Sequence, residues 1–303
     1  MGTPPDPTQP WGTQAALPSC ARHPDRPTGL RCTRCERPAC PECLVEASVG
    51  YHCVDCVNQG RREVRRGTTI AGAQPTRPVV TPVLIALNVG IFAITAAQAG
   101  SLLNNANSEL SRDWALYPIL VAAGEWWRLV TAGFLHAGPI HLALNMLALF
   151  ILGRDLEPVL GRLRFSAVYF VSLLGGSVAV FLFGELFVPV VGASGAVFGL
   201  MGGLALVVFR QRINPTPVLV IIGINVYFSF RLENISWLGH LGGLAVGAIA
   251  TAAMVYAPRQ NRTAWQAGVL VLLTLALIGM VVVRDAQLGE LICDPRIGCV
   301  QIG

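Results

Sequence analysis

Residues 191–209 read VGASGAVFGLMGGLALVVF, from Val191-Gly192-Ala193-Ser194 through Gly195, Gly199 and Gly203, with no charged side chain before Arg210. A hydrocarbon core of about 30 Å takes roughly 20 apolar helical residues, and this run approaches that length. Its three glycines recur at every fourth position, so they share one helical face that lets a second backbone come close. Gly239, Gly243 and Gly247 repeat the pattern further along. Ser194 precedes the first glycine of one face and His240 follows the first of the other. Close packing along both faces would bring a hydroxyl to an imidazole, the pairing required of a nucleophile and its general base.

The rest of the chain supports a membrane setting. Of 303 residues, 53% are hydrophobic and 13% charged, which excludes a purely soluble or disordered protein. Apolar windows run over Val79–Ala97, Ile140–Gly153, Phe165–Phe183, Ser194–Phe209, Thr216–Phe230, Trp237–Tyr256 and Trp265–Val283. The expectation is an all-α multi-pass membrane protein with seven helices, the second, fourth and fifth short. A helix that starts below the membrane surface needs protein or a water-filled cavity around the backbone leading into it.

All 22 basic residues are Arg, against 17 acidic ones. With the N-terminus in the cytoplasm, 17 of the 22 fall inside, and Arg112, Arg128, Arg231, Arg284 and Arg296 fall outside. That bias follows the positive-inside rule and implies a cell (plasma) membrane protein with a cytoplasmic N-terminus and an extracytoplasmic C-terminus. Arg61, Arg62, Arg65 and Arg66 then read as a juxtamembrane anchor at the lipid bilayer rather than a nucleic-acid patch, and no nucleic acid is expected as a partner. The loop Gly100–Gly138 carries Trp114, Tyr117, Trp126 and Trp127, an aromatic density suited to the membrane interface. The expected organisation is a disordered Pro-rich lead (1–19), a metal-binding module (20–58), a basic linker (59–78), a membrane domain (79–284) and an extracytoplasmic tail (285–303).

Four knuckles lie within that module: Cys20-x2-His23, Cys32-x2-Cys35, Cys40-x2-Cys43 and Cys53-x2-Cys56. Eight such ligands in so short a segment point to two structural zinc ions, with His52 an alternative to Cys53. Their interleaved order resembles the B-box type of zinc finger. The resemblance implies one site from Cys20, His23, Cys40 and Cys43 and the other from Cys32, Cys35, Cys53 and Cys56. A reducing cytoplasm disfavours disulfides here, and a closed four-ligand site has no open position for catalysis. The module is expected to be structural, with a cytoplasmic protein as its partner if it has one. Cys293 and Cys299 fall on the opposite side, in a redox compartment compatible with a short disulfide loop, and the sequence leaves open whether they pair.

Ionisable side chains inside spans are costly and are functional candidates by default. His141 and Asn145 are four apart and share a face of the second helix, which Pro139 can open at its first position. His136 belongs to the incoming turn. The second, fourth and sixth helices run in the same direction, so His141, Asn145, Ser194 and His240 each lie within about two turns of the outer end. Interhelical hydrogen-bonding glue would explain His141 and Asn145 alone, and packing would explain Ser194 alone; neither predicts their common depth. A transporter would spread such groups across the bilayer.

Glu125-Trp126-Trp127-Arg128, His136-x4-His141-x3-Asn145, Gly192-Ala193-Ser194-Gly195 and Gly239-His240-Leu241-Gly242-Gly243 together resemble the rhomboid intramembrane serine proteases, over about Thr81–Val283. The resemblance implies a six-helix rhomboid core plus one C-terminal transmembrane helix, and cleavage of single-pass transmembrane proteins near the extracytoplasmic side. It makes Ser194 the nucleophile and His240 the general base, a dyad without a third carboxylate. His141 and Asn145, with the backbone N–H of Ser194, would stabilise the oxyanion. Trp127 and Arg128 match a structural pair. Phe198 stands where many members carry Tyr, so stacking beneath the histidine is kept and a hydroxyl is lost. Gly239 replaces the commoner Ala. Catalysis would need no cofactor. The alternative is a catalytically silent rhomboid-like binder of membrane helices.

Overall fold

The computed structural model describes residues 16–63, 67–232, 235–294 and 298–302; most of the expected Pro-rich lead lies outside them. The chain divides into two compact units, 1–66 and 67–303.

In the first unit, the strands β1 (Leu44–Glu46) and β2 (Tyr51–Cys53) pair antiparallel, with Leu44 opposite Cys53, and lead into the helix α1 (Val54–Glu63). Its buried centre is Ala39 and six cysteines: Cys20, Cys32, Cys40, Cys43, Cys53 and Cys56. So small a core cannot hold a domain by apolar burial, so this unit needs staples.

The second unit begins with α2 (Val80–Ala99), followed by three short helices, α3 (Glu109–Trp114), α4 (Pro118–Ala122) and α5 (Arg128–Thr131). Then come α6 (Pro139–Leu160), α7 (Arg162–Phe183), α8 (Ser194–Arg210), α9 (Thr216–Arg231), α10 (Trp237–Val255) and α11 (Arg262–Leu288). Helices α2, α6, α7, α10 and α11 are long and apolar enough to cross a membrane, and α8 and α9 are shorter apolar helices of 17 and 16 residues. Beyond α11, a hairpin of β3 (Glu290–Asp294) and β4 (Gly298–Ile302) sets Cys293 directly opposite Cys299 in register.

The second apolar helix is not short. α6 has 22 residues and continues through Arg154, Asp155, Glu157 and Pro158. Leu156, Glu157 and Leu160 explain the extension, since all three are fully buried on the inner face of that last stretch. The Glu157 carboxylate accepts the backbone N–H of Val79, Val80 and Thr81 at 2.6, 2.9 and 2.9 Å, and the Thr81 hydroxyl at 2.7 Å. A helix leaves its first N–H groups without internal acceptors, so one carboxylate from α6 caps the start of α2.

The expected linker is only partly extended chain. Its first residues continue α1, and Thr69–Ala73 form a turn against the bundle, with Ala71 fully buried. The Thr69 hydroxyl donates to the Val159 carbonyl at 2.5 Å, and Gln266 Nε2 on α11 donates to the carbonyls of Ala71 and Met254 at 3.0 and 2.8 Å. In the loop before α6, buried Arg128 donates to the carbonyls of Arg112 and Ala115 at 2.7 and 2.8 Å and pairs with Glu125. Trp126 and Trp127 remain about half exposed, as residues of an aromatic interface would.

Helices α8 and α10 meet along their glycine faces. A methyl group on Gly243 would overlap the backbone of Gly195, and one on Gly247 the backbone of Gly199. On the other side of α10, a methyl group on Gly242 would lie 2.7 Å from the Gly175 carbonyl of α7. With lipid tails as apolar as leucine, such backbone contact replaces burial as the source of attraction between helices.

Candidate active site and metal centres

Ser194 opens α8, and its backbone N–H is among the first-turn donors that lack an intrahelical acceptor. Gly192 precedes it with φ +127°, a conformation that side chains rarely adopt, and its N–H donates to the Ala132 carbonyl at 3.0 Å. The space a Cβ would fill at Gly192 lies 2.8 Å from His141 Nε2 and 3.7 Å from Ser194 Oγ. Hydroxyl and imidazole therefore flank a single point that only glycine leaves open.

His141 sits in the first turn of α6, started by Pro139 after Gly138. The Ala137 N–H donates to His141 Nδ1 at 3.3 Å. A neutral imidazole that accepts at Nδ1 carries its proton on Nε2, so the hydrogen bond assigns an N–H donor to the nitrogen beside Gly192. Asn145, one turn on, is buried and donates to the His141 carbonyl at 3.0 Å. His136 is buried edge-on to the His141 ring at a centroid distance of 5.1 Å, and among the described residues neither of its ring nitrogens has a hydrogen-bond partner.

His240 lies one turn into α10, whose N-cap Ser236 accepts the Gly239 N–H at 3.2 Å. Its ring stacks on Phe198 of α8 with centroids 4.0 Å apart and planes 14° from parallel. The structure thus places Ser194, His141, Asn145 and His240 within the first two turns of three helices. Among the described residues no hydrogen bond joins Ser194 to His240. His240 Nδ1 instead lies 2.6 Å from the hydroxyl of Ser229 on α9. Sequence reasoning missed Ser229. Its signal was present as Asn225 and Ser229, two polar residues four apart in an apolar helix.

In the first unit, the side chains of Cys20, His23, Cys40 and Cys43 form one group and those of Cys32, Cys35, Cys53 and Cys56 another, with donor atoms within 4.8 Å of one another in each. His23 Nδ1 lies 3.4 Å from the sulfurs of Cys40 and Cys43 and 4.0 Å from that of Cys20, and the Cys35 and Cys53 sulfurs are 3.7 Å apart. Tetrahedral ligation at about 2.3 Å per sulfur requires edges of about 3.5–3.8 Å, whereas a disulfide requires about 2.05 Å. The donor sets therefore fit metal ions. The fourth sulfur of the second group is that of Cys53; His52 stands opposite Val45 in the hairpin.

The thiols of each group are electrostatically unequal. The backbone N–H of Cys40, with those of Arg22 and His23, holds Cys20 down to about 6 against the opposing effect of burial. Burial pushes Cys32 up, but the N–H groups of Cys53, Cys35 and Arg34 outweigh it and bring it to about 6. Burial, then the neighbouring Cys40 thiol, pushes Cys43 up to about 11, and the Cys35 thiol followed by burial pushes Cys56 up to about 12. Each group can carry negative charge without a cation but resists full ionisation until one arrives.

The family profile of the rhomboid domain matches residues 123–257. Rhomboid protease GluP of Bacillus subtilis is 39% identical over 200 residues, covering 64% of this chain and 38% of that protein. The rhomboid-family YdcA of the same bacterium is 37% identical over 176 residues, covering 56% of this chain and 85% of YdcA. RHOMBOID-like protein 4 of Arabidopsis thaliana is 34% identical over 135 residues, covering 42% of this chain and 34% of the plant protein. The chain thus spans well under half the length of GluP and the plant protein, but most of YdcA. Its apolar helices, the matched domain and the relatives agree: this is a multi-pass membrane protein that belongs to the rhomboid family.

Proposed function

We propose that the chain is an intramembrane serine endopeptidase that cuts transmembrane helices of single-pass proteins near the extracytoplasmic side. The observation that carries this reading is the convergence of Ser194 Oγ and His141 Nε2 on the open point at Gly192, with His240 stacked on Phe198 across the glycine seam. A locally unwound substrate helix presents its carbonyl carbon to Ser194 Oγ. A small closing movement of His240 lets Nε2 take the hydroxyl proton as the C–O bond forms. The oxyanion receives hydrogen bonds from the Ser194 N–H, His141 Nε2–H and the Asn145 amide, in the field of the α8 N-terminus. His240 then protonates the departing amine as the C–N bond breaks, and water, deprotonated by the same imidazole, hydrolyses the acyl-enzyme.

The reaction requires no cofactor. The two donor groups of the first unit would hold structural zinc: Cys20, His23, Cys40 and Cys43 bind one ion, and Cys32, Cys35, Cys53 and Cys56 the other. The Arg distribution supports a plasma-membrane location with the zinc module in the cytoplasm and the hairpin outside. It also supports the division at 20–58, 59–78 and 79–284.

The test is cleavage of a reporter transmembrane helix by purified wild-type and Ser194→Ala protein in liposomes. Cleavage by the wild type alone is expected; equal cleavage by the variant would overturn the assignment. The second reading, a silent binder of membrane helices, draws on the missing Ser194–His240 hydrogen bond. It requires the wild type to retain reporter helices without cutting any. An N-terminal tag digested by protease on intact cells would refute the orientation.

A further inference from the structure

We infer that Ser229 is the residue that positions His240 for catalysis, fixing the imidazole with its proton on Nδ1 and its lone pair on Nε2. The inference rests on the protease reading above and extends it from a dyad to a hydrogen-bonded relay.

The warrant is a proton count. Ser229 is 3% exposed and His240 is 9% exposed, so neither finds bulk water as a substitute partner. The Ser229 hydroxyl lies 2.6 Å from His240 Nδ1 and 2.8 Å from the Asn225 carbonyl, one turn back on α9. A serine hydroxyl has one hydrogen and two acceptor lone pairs, and a carbonyl can only accept. Both contacts are satisfied in one way: the hydroxyl donates to Asn225 and accepts from Nδ1–H. The neutral ring then has no proton on Nε2, the nitrogen that must remove the Ser194 proton. The opposite assignment turns the hydroxyl toward Nδ1, abandons the Asn225 carbonyl and puts a proton on Nε2, where the ring can no longer act as a base. When His240 becomes imidazolium, Nδ1–H still has its acceptor, so the contact survives the catalytic cycle.

The stacking partner sharpens the need for this contact. Phe198 holds the ring plane from below but offers no hydrogen-bonding atom, and a plane alone leaves the ring free to flip about its own axis. Ser229 distinguishes the two faces of that flip. The orienting group also comes from α9, a third helix, so the relay runs from α9 through α10 to α8.

The experiment uses full-length protein labelled with 15N-histidine in detergent micelles, with a His240→Ala sample to assign the ring signals. Wild-type His240 is expected to show a protonated Nδ1 and an unprotonated Nε2; the reverse tautomer would overturn the inference. Ser229→Ala should populate both tautomers and lower kcat about tenfold or more with KM little changed, within the hundredfold or so that general-base catalysis supplies. Ser229→Thr keeps a hydroxyl that can bond the carbonyl one turn back, and should restore most of the rate and the wild-type tautomer. Unchanged kcat and tautomer in Ser229→Ala would refute the role. If Ser229→Ala fails to fold, the wild-type and Ser229→Thr spectra still decide. Failure of the wild type to cleave would count against the protease reading, while the tautomer spectrum would still judge the relay.

Discussion

The two units face a shortage of apolar burial for different reasons and answer it with opposite chemistry. The first unit is too small for a core, and seven cysteine sulfurs and the His23 imidazole are arranged there in two groups of four donors. The membrane unit has abundant apolar surface, but lipid competes for it. It relies on backbone touching backbone at Gly195–Gly243 and Gly199–Gly247, and on buried polar groups with specific partners, such as Glu157 and Arg128. In one unit the donor groups are arranged so that cohesion would depend on ions and pH; in the other it depends on shape. The side chains proposed for catalysis sit on the second kind of scaffold, where backbone contact holds the α8–α10 seam in register.

The contrast can be broken or sharpened by experiment, and the largest effect should come from metal removal. Chelation of the full-length protein should abolish amide-exchange protection across the first unit while leaving α8 and α10 protected. Loss of protection in both units would erase the distinction. Next is the seam, where Gly247→Leu drives a side chain into the Gly199 backbone. It should cost about 3 kcal/mol or more and abolish cleavage, measured by thermal unfolding in detergent and by reporter assay. Glu157→Ala should follow, leaving the N–H groups at the start of α2 without acceptors at about 1–3 kcal/mol, with increased exchange confined to that turn. Restoring metal to the stripped protein near pH 7 should release protons in a weakly buffered titration. Cys43 and Cys56, whose thiols are pushed up by burial and by their neighbouring thiols, must give theirs up to become ligands. The smallest effect is expected for Phe198→Leu, which removes the stacking beneath His240 at about 1 kcal/mol and should slow cleavage only several-fold.

Much of this was legible in sequence because it is local or periodic. Hydropathy marks the spans, every-fourth glycines mark the seam, and two-residue spacers mark the metal knuckles. What could not be read depends on which helices become neighbours. Arg154, Asp155 and Pro158 have the composition of a helix end, and only the position of α2 explains why α6 continues to Leu160. Ser229 precedes His240 by 11 residues, but the end of α9 and the start of α10 intervene, so no periodicity brings it to the imidazole. The departure from Tyr at Phe198 was visible, but the compensating hydroxyl on another helix was not.

The carboxylate of Glu157 also sets an order of events during synthesis. The N–H groups it serves belong to residues 76 to 78 positions earlier in the chain. When α2 first enters the bilayer its partner has not been translated, so the opening turn of α2 must remain at the wet surface to keep its donors hydrated. Only when α6 arrives can that turn give up its water. The first long helix to be made is thus locked only after the next long helix has followed it. A ribosome stalled before Glu157 should display an α2 whose first turn exchanges freely and becomes protected on release.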